Sequence, residues 1–451
     1  MKLRFTQLLG YGAGDMANNL AFSMASMFLL LYYTDVAGIP AAAAGTVLLV
    51  VRVWDALADL VAGGLVDKTS TRWGKFRPWL LFAALPLLLV NVATFSVPDW
   101  SLTGKLAYAV ITYAAVGTAY SLVNIPYGSL AAAMTQDPVE RSKLASARSM
   151  GAAATILLLS MVVSPQIKHS ADLQHSLLVT TLAVVVVGGA LYLFAFATAR
   201  ETVERDVQKV SVKASLNTIR RNKPLILLCV SSLFFLTAMF SLQTIGVYYA
   251  RDVLGNANYY IVITVAQMGL MFLLAPLAPT IVRRFGKKNG YIASGAVMIV
   301  GSVGTTVAPA SLPSIALGCF MLIGVGLGLV NTLMWSLEAD TVEYGEWLTG
   351  ARMEGATYAV FSFVRKLGQA FGGSAAAYTI GLAGYAGGSP VQSEAALWGI
   401  RSAAGIVPAA CVIIAIAIML AYPLTESRFR EITAEVADRR SRPAEATSPG
   451  A

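Results

Sequence analysis

RETVERDVQKVSVKASLNTIRRNK, residues 200–223, is the largest hydrophilic stretch between apolar segments, and it falls near the middle of a 451-residue chain. Six apolar windows precede it, at about 8–33, 41–66, 77–97, 105–134, 144–167 and 176–199. Six follow, at about 224–250, 258–282, 290–309, 312–337, 354–384 and 395–422. Each approaches or exceeds the roughly 20 residues a helix needs to cross a hydrocarbon core. The chain is 57% hydrophobic and 13% charged, where a soluble protein carries about 25% charged residues. So few charges cannot dress the surface of a soluble protein this size, and the apolar residues need lipid as a second solvent. The reading is an all-α membrane protein with twelve transmembrane helices in two six-helix, pseudo-symmetric halves. Residues 1–199 form the first half, 200–223 a linker, 224–425 the second half and 426–451 a polar tail without apolar period, expected to be disordered or loosely helical.

The net charge of +9 is a matter of placement. The loops on the side of the N-terminus receive 25 of the 33 Lys and Arg residues, and the other side receives only Lys105, Lys168 and Arg251. By the positive-inside rule both termini are expected in the cytoplasm, which places the chain in the plasma (inner) membrane with an even number of spans. A nucleic-acid partner is not needed to explain the charge. The N-terminus shows no cleavable signal, so the first helix is expected to be retained. Cys229, Cys319 and Cys411 sit inside apolar windows without metal or redox spacing. Two basic glycine turns, through Gly74-Lys75-Phe76-Arg77 and Arg283-Arg284-Phe285-Gly286-Lys287-Lys288, each follow the second window of a half and form a weak internal echo.

Charges inside the windows are costly, about 2.5–3.5 kcal/mol each on insertion scales, and each asks for a reason. Arg52, Asp55 and Asp59 lie three and four residues apart in the second window and share a helix face. Two carboxylates close together in low dielectric repel, so the pair is expected to hold a proton or a sodium ion. An Arg–Asp bridge joining helices would explain only one of the two. In the first window Asp15, Asn18 and Asn19 are expected on one face, able to bind sugar hydroxyls or to join helices. In the fourth, Tyr120, Ser121 and Asn124 precede Pro126, which interrupts the helix. Ser121 could offer an oxygen to a cation and Asn124 an amide to a ligand. Arg148, Arg365 and Lys366 snorkel to the membrane surface or reach inward to the Asp residues.

These residues sit in stretches that resemble the glycoside–pentoside–hexuronide:cation symporters of the major facilitator superfamily, the group that includes the melibiose carrier. The stretches are GYGAGDMANNL (10–20), YYTDVAGI (32–39), RVWDALADL (52–60), RWGKFRPWLL (72–81), NIPYGSL (124–130), EADTVEYGEWLTGARMEG (338–355) and VRKLGQAFGG (364–373), in order along nearly the whole chain. The resemblance implies a cation site of Asp55, Asp59 and Ser121 between the second and fourth helices. It implies a sugar pocket using Asn19, Asn124, Arg148 and Lys366, with Tyr120 as its aromatic. Asp15 and Asn18 join the pocket, and Arg52 and Arg365 form a charge network beside it. Ala58 stands where the melibiose carrier has an amide cation ligand, which favours a proton over sodium. Asn18, Asn19 and Asn124 replace a Lys and two Asp, and Gly128 replaces a Trp, so the pocket is less acidic and roomier.

The expected function is secondary active transport: symport of a glycoside with a proton or sodium ion by alternating access. A hexuronide or other anionic glycoside is the alternative, and a lysolipid cargo a more distant one. At the cytoplasmic rim Asp67, Arg72, Lys75, Arg77, Asp340, Glu343 and Arg352 are expected to form salt bridges that hold the outward-open state and break on opening inward. No cofactor is expected, and the protein is expected to work as a monomer. An enzyme is not expected, since His169 and His175 are the only histidines and no H-E-x-x-H motif occurs.

Overall fold

The computed structural model describes residues 3–135, 137–170, 172–202, 220–274, 278–350, 354–389 and 391–441. The helices run α1 (Phe5–Leu31), α2 (Ala41–Lys68), α3 (Arg77–Phe82), α4 (Ala84–Thr94), α5 (Leu102–Met134), α6 (Pro138–His169) and α7 (Leu173–Thr198). After the linker come α8 (Lys223–Tyr248), α9 (Tyr259–Leu274), α10 (Ala278–Val307), α11 (Pro313–Thr349), α12 (Glu354–Leu382), α13 (Glu394–Ala404), α14 (Ile406–Leu420) and α15 (Glu426–Ser441). Helix therefore occupies every apolar window, with the third broken at Ala83 and the twelfth at Gly405.

Among the described residues, nine helical stretches are long and apolar enough to cross a membrane. The windows that fall short are α1, α9 and α12. Two of these owe it to their polar residues: α1 carries Asp15, Asn18 and Asn19, and α12 carries Arg365 and Lys366. Helices with such side chains cannot face lipid and must pack in the interior. Most of α1 is indeed buried.

Several local expectations are corrected. Pro126 does not interrupt α5, which runs continuously through it; a proline costs one backbone hydrogen bond, and packing on both sides holds the helix. The described part of the polar tail takes the helical one of its two expected forms, as α15, because Phe429, Ile432 and Val436, spaced three and four apart, make an apolar stripe. Ile432 and Val436 are buried, and Trp347 on α11 donates its indole N–H to Glu435 at 2.6 Å. The two basic turns share a physical feature: Gly74 and Gly286 both have positive φ, 107° and 77°, which any side chain would resist. Asp67 (its side chain) and Arg352 lie outside the described residues.

α1 and α8 run side by side in the same direction, joined by Thr244 Oγ1 donating to the Ser26 carbonyl (3.4 Å) and by the Thr34 and Tyr248 hydroxyls (2.9 Å). At the start of α1, the Leu3 amide donates to Glu140 at the start of α6. At the start of α8, Asn222 donates to the Thr341 carbonyl near the end of α11, on which α15 also packs. Both described ends of the chain thus lie at one end of the bundle, called here the terminal end.

Candidate functional site

Midway along the helices lies a cavity of about 430 Å³. It is lined from α1, α2, α5 and α6 on one side and α8, α11 and α12 on the other. Asp15, Asn19, Tyr120, Asn124, Arg148 and Lys366 all reach it, as do Arg52, Asp55, Ser121 and Arg365.

Charged groups on its walls are largely paired. Arg148 Nε bonds Asp15 Oδ1 at 3.0 Å, and Asn19 donates to Asp15 Oδ2 at 2.8 Å. The Arg148 guanidinium also lies over the Tyr127 ring. Arg52 Nη1 bonds Asp55 Oδ2 at 3.2 Å and its guanidinium rests between the rings of Phe22 and Tyr113. Ser121 Oγ donates to Asp59 Oδ1 at 2.6 Å, and Lys366 Nζ pairs with Asp59 Oδ2. Asp55 Oδ1 and Asn124 Oδ1 are buried without a hydrogen-bond partner. α5 crosses α2 so closely at Gly117 that a Cβ there would lie 1.6 Å from Asp55 Oδ1. The arrangement brings Asp55, Asp59 and Ser121 together as the sequence suggests, with Lys366 holding Asp59 from the other wall.

One expected pocket residue is elsewhere. Asn18 is fully buried and its Oδ1 accepts from Tyr192 of α7 at 2.7 Å, away from the cavity. One residue is a 100° turn on a helix, so Asn18 cannot share the face that Asp15 and Asn19 present. Arg365 differs from its expected role too: no ion pair or hydrogen bond engages it among the described residues, and it stacks on Trp335 (4.7 Å) and Phe361 (5.9 Å).

Sequence reasoning missed Trp335, Tyr358, Phe22 and Gln243 on the walls. Aromatic and amide side chains in an apolar window carry no cost that marks them out. It also missed the closure opposite the terminal end. There Arg251 bonds Asp35 Oδ1 at 2.9 Å and makes two bonds to Asp252, at 2.7 and 2.9 Å. Tyr385 OH donates to both Asp35 oxygens (3.0 and 3.1 Å) and touches Arg251, while the Gly388 amide donates to Asp35 at 3.3 Å. Below this cluster α2 and α12 pack closely, with Thr46 and Tyr378 hydroxyls 2.8 Å apart. The signal was present: Arg251 is one of only three basic residues expected on that side.

At the terminal end the described rim residues Arg72, Arg77 and Asp340 contact residues of their own half. Glu201 accepts backbone N–H groups from Lys75, Phe76 and Arg77 at 2.8, 2.8 and 2.9 Å. Arg77 donates to the Phe196 carbonyl (2.8 Å) and Arg72 lies over Trp73. Lys287 bonds Asp340 at 2.6 Å.

Residues 10–426 match the model of the family described as MFS/sugar transport protein. The chain belongs to this family. Within it, the glycoside–pentoside–hexuronide symporter branch is supported by a relative 44% identical over 448 residues, "Glucuronide carrier protein homolog" of Escherichia coli, covering 97% of each chain. A second relative, "Putative sulfoquinovose importer" of Salmonella typhimurium, is 33% identical over 98% of this chain and 94% of its own. Among solved structures, a point mutant of the nucleoside transporter NupG superposes with a TM-score of 0.71 at 12% identity, covering 93% of this chain and all of the other. That likeness concerns the fold, which is the major facilitator fold. The protein is a multi-pass membrane transporter for small molecules rather than an enzyme, as its relatives are. Among the described residues no group of three His, Cys, Asp or Glu side chains could hold a metal ion.

Proposed function

We propose that this transporter carries a glycoside bearing an acid group, of the glucuronide class, together with a monovalent cation, by alternating access. The observation that carries the acidic cargo is the charge of the central cavity. Four cations, Arg52, Arg148, Arg365 and Lys366, face three carboxylates, Asp15, Asp55 and Asp59. An excess positive charge in a low-dielectric cavity favours an anionic cargo over a neutral one. The names of the relatives agree, since a glucuronide carries a carboxylate and sulfoquinovose a sulfonate. A neutral glycoside remains a ligand for Asn19, Asn124 and Gln243, whose amides bind hydroxyls.

In this reading Asp55, Asp59 and Ser121 hold the coupling cation, and Lys366 occupies Asp59 until the cation displaces it. Ala58 contributes no oxygen, which favours a proton over sodium. The two six-helix halves, residues 1–199 and 224–425, rock about the cavity as a monomer in the plasma membrane. The 25-to-3 distribution of basic residues supports a cytoplasmic terminal end. On that assignment the Arg251 cluster closes the outer face and the cavity faces inward.

The test is uptake of a radiolabelled glucuronide by cells lacking other carriers. Asp55→Asn and Asp59→Asn are each expected to abolish accumulation against a gradient, and normal accumulation in both would refute the coupling site. Alkalinisation of a weakly buffered medium on adding sugar without sodium identifies the proton; an absolute need for sodium identifies that ion instead.

A further inference from the structure

Three of the four cavity cations already have a carboxylate: Arg148 has Asp15, Arg52 has Asp55 and Lys366 has Asp59. Arg365 has none among the described residues. Its Nη1 is shut from solvent without a hydrogen-bond partner, although the residue lines the cavity. A guanidinium has five N–H donors in a fixed planar fork, and burying them unanswered is costly. Apolar contacts hold Arg365 in place. Its guanidinium lies against Trp335, which itself stacks on Tyr358 at 5.9 Å, and over the Phe361 ring as a second aromatic contact. Such a stack fixes the plane of the fork while leaving its edge without acceptors among the described residues. That is a preorganised receptor for a planar, bidentate anion.

We propose that Arg365 is the seat of the substrate's acid group, a carboxylate received edge-on by the guanidinium while Trp335 fixes its plane. This rests on the acidic-glycoside reading and assigns the acid group to one residue. Recruiting Arg148, Arg52 or Lys366 instead would strip Asp15, Asp55 or Asp59 of its partner and leave a buried carboxylate uncompensated. Arg365 binds the anion without that loss. The adjacent Lys366 then remains with the cation site, so neighbouring residues on α12 divide the two ligands between them.

The experiment is binding of methyl β-D-glucuronide and methyl β-D-glucoside to the purified carrier, wild type against Arg365→Gln and Arg365→Lys. Wild type is expected to prefer the glucuronide, and Arg365→Gln to lower that preference ~10- to 100-fold, the effect of one charge-assisted contact. Arg365→Lys restores part of it, because an ammonium keeps the charge and loses the fork. A wild-type preference that survives in Arg365→Gln overturns the assignment, as does an equal loss for both sugars. Should Arg365→Gln fail to fold, Arg365→Lys decides: full wild-type preference refutes the forked seat, and a partial one supports it. Wild type that binds glucoside and not glucuronide overturns the acidic-glycoside reading itself, whatever the variants do.

Discussion

At Gly117 a single missing methyl group decides where a carboxylate can sit. A Cβ there would overlap Asp55 Oδ1, so Gly117→Ala must turn the Asp55 carboxylate from its present position or part α2 from α5. Overpacking of this kind costs about 1–3 kcal/mol. If Asp55 belongs to the coupling site, Gly117→Ala is expected to cut sugar accumulation by about tenfold or more, equal to ~1.4 kcal/mol, while folded protein is still recovered from the membrane. Accumulation at the wild-type level in uptake assays would separate Asp55 from coupling. Residues of this site were legible in the sequence in proportion to their cost in a membrane. Asp15, Asp55, Asp59, Arg148 and Lys366 stand out because lipid forbids them, and all lie at or beside the cavity. Trp335 was not legible, because an aromatic ring belongs in an apolar helix in any case. Asn18 and Asn19 were indistinguishable as letters; only the rotation of α1, set by its packing on Tyr192, sends one to the core and the other to the cavity.

α1 and α8 end alike. Each passes into a single π-helical turn, Tyr32–Val36 and Tyr249–Val253, with the sequences YYTDV and YARDV. A π turn carries an extra residue and rotates the residues beyond it, and such turns gather at functional places. Here they aim Asp35 from one and Arg251 with Asp252 from the other into one cluster. The internal echo of the glycine turns therefore has a stronger counterpart at the opposite end. It is hard to see in the sequence because the shared letters are few and set far apart. With Arg251→Ala, Asp35 and Asp252 face each other without their cation in a half-buried cluster, at a cost below the ~3–5 kcal/mol of breaking a fully buried pair. That cost falls on the closed arrangement alone. In a background without Cys229, Cys319 and Cys411, a Ser23→Cys probe on the cavity wall is expected to label faster with an impermeant thiol reagent applied outside once Arg251→Ala is added. Unchanged labelling would show that the cluster does not hold that face shut. The stripe of Phe429, Ile432 and Val436 in α15 was illegible for a different reason: three apolar residues among so many charges read as solvent-exposed until α11 is seen lying under them.

Over the whole molecule, the order of helices was readable because the apolar windows must be long and the loops between them short, and the alternation of basic residues predicts their sense. Which face is shut could not be read, since the same sequence must build both states. The cavity's four cations against three carboxylates carry one more consequence, for the electrical character of transport. Empty, the site holds one net positive charge. Loaded with one sugar acid and one coupling cation, it holds one still. On the proposed symport of one sugar acid with one monovalent cation, the carrier would cross the membrane with the same charge in both directions and pass no current. Moving an elementary charge through 100 mV is worth ~2.3 kcal/mol, and none of it would be available to this transporter. A potassium diffusion potential imposed on proteoliposomes is expected to leave glucuronide uptake unchanged, whereas a gradient of the coupling cation drives it. A neutral sugar carried with the same cation would instead respond to voltage, so the membrane potential itself reports the charge of the cargo.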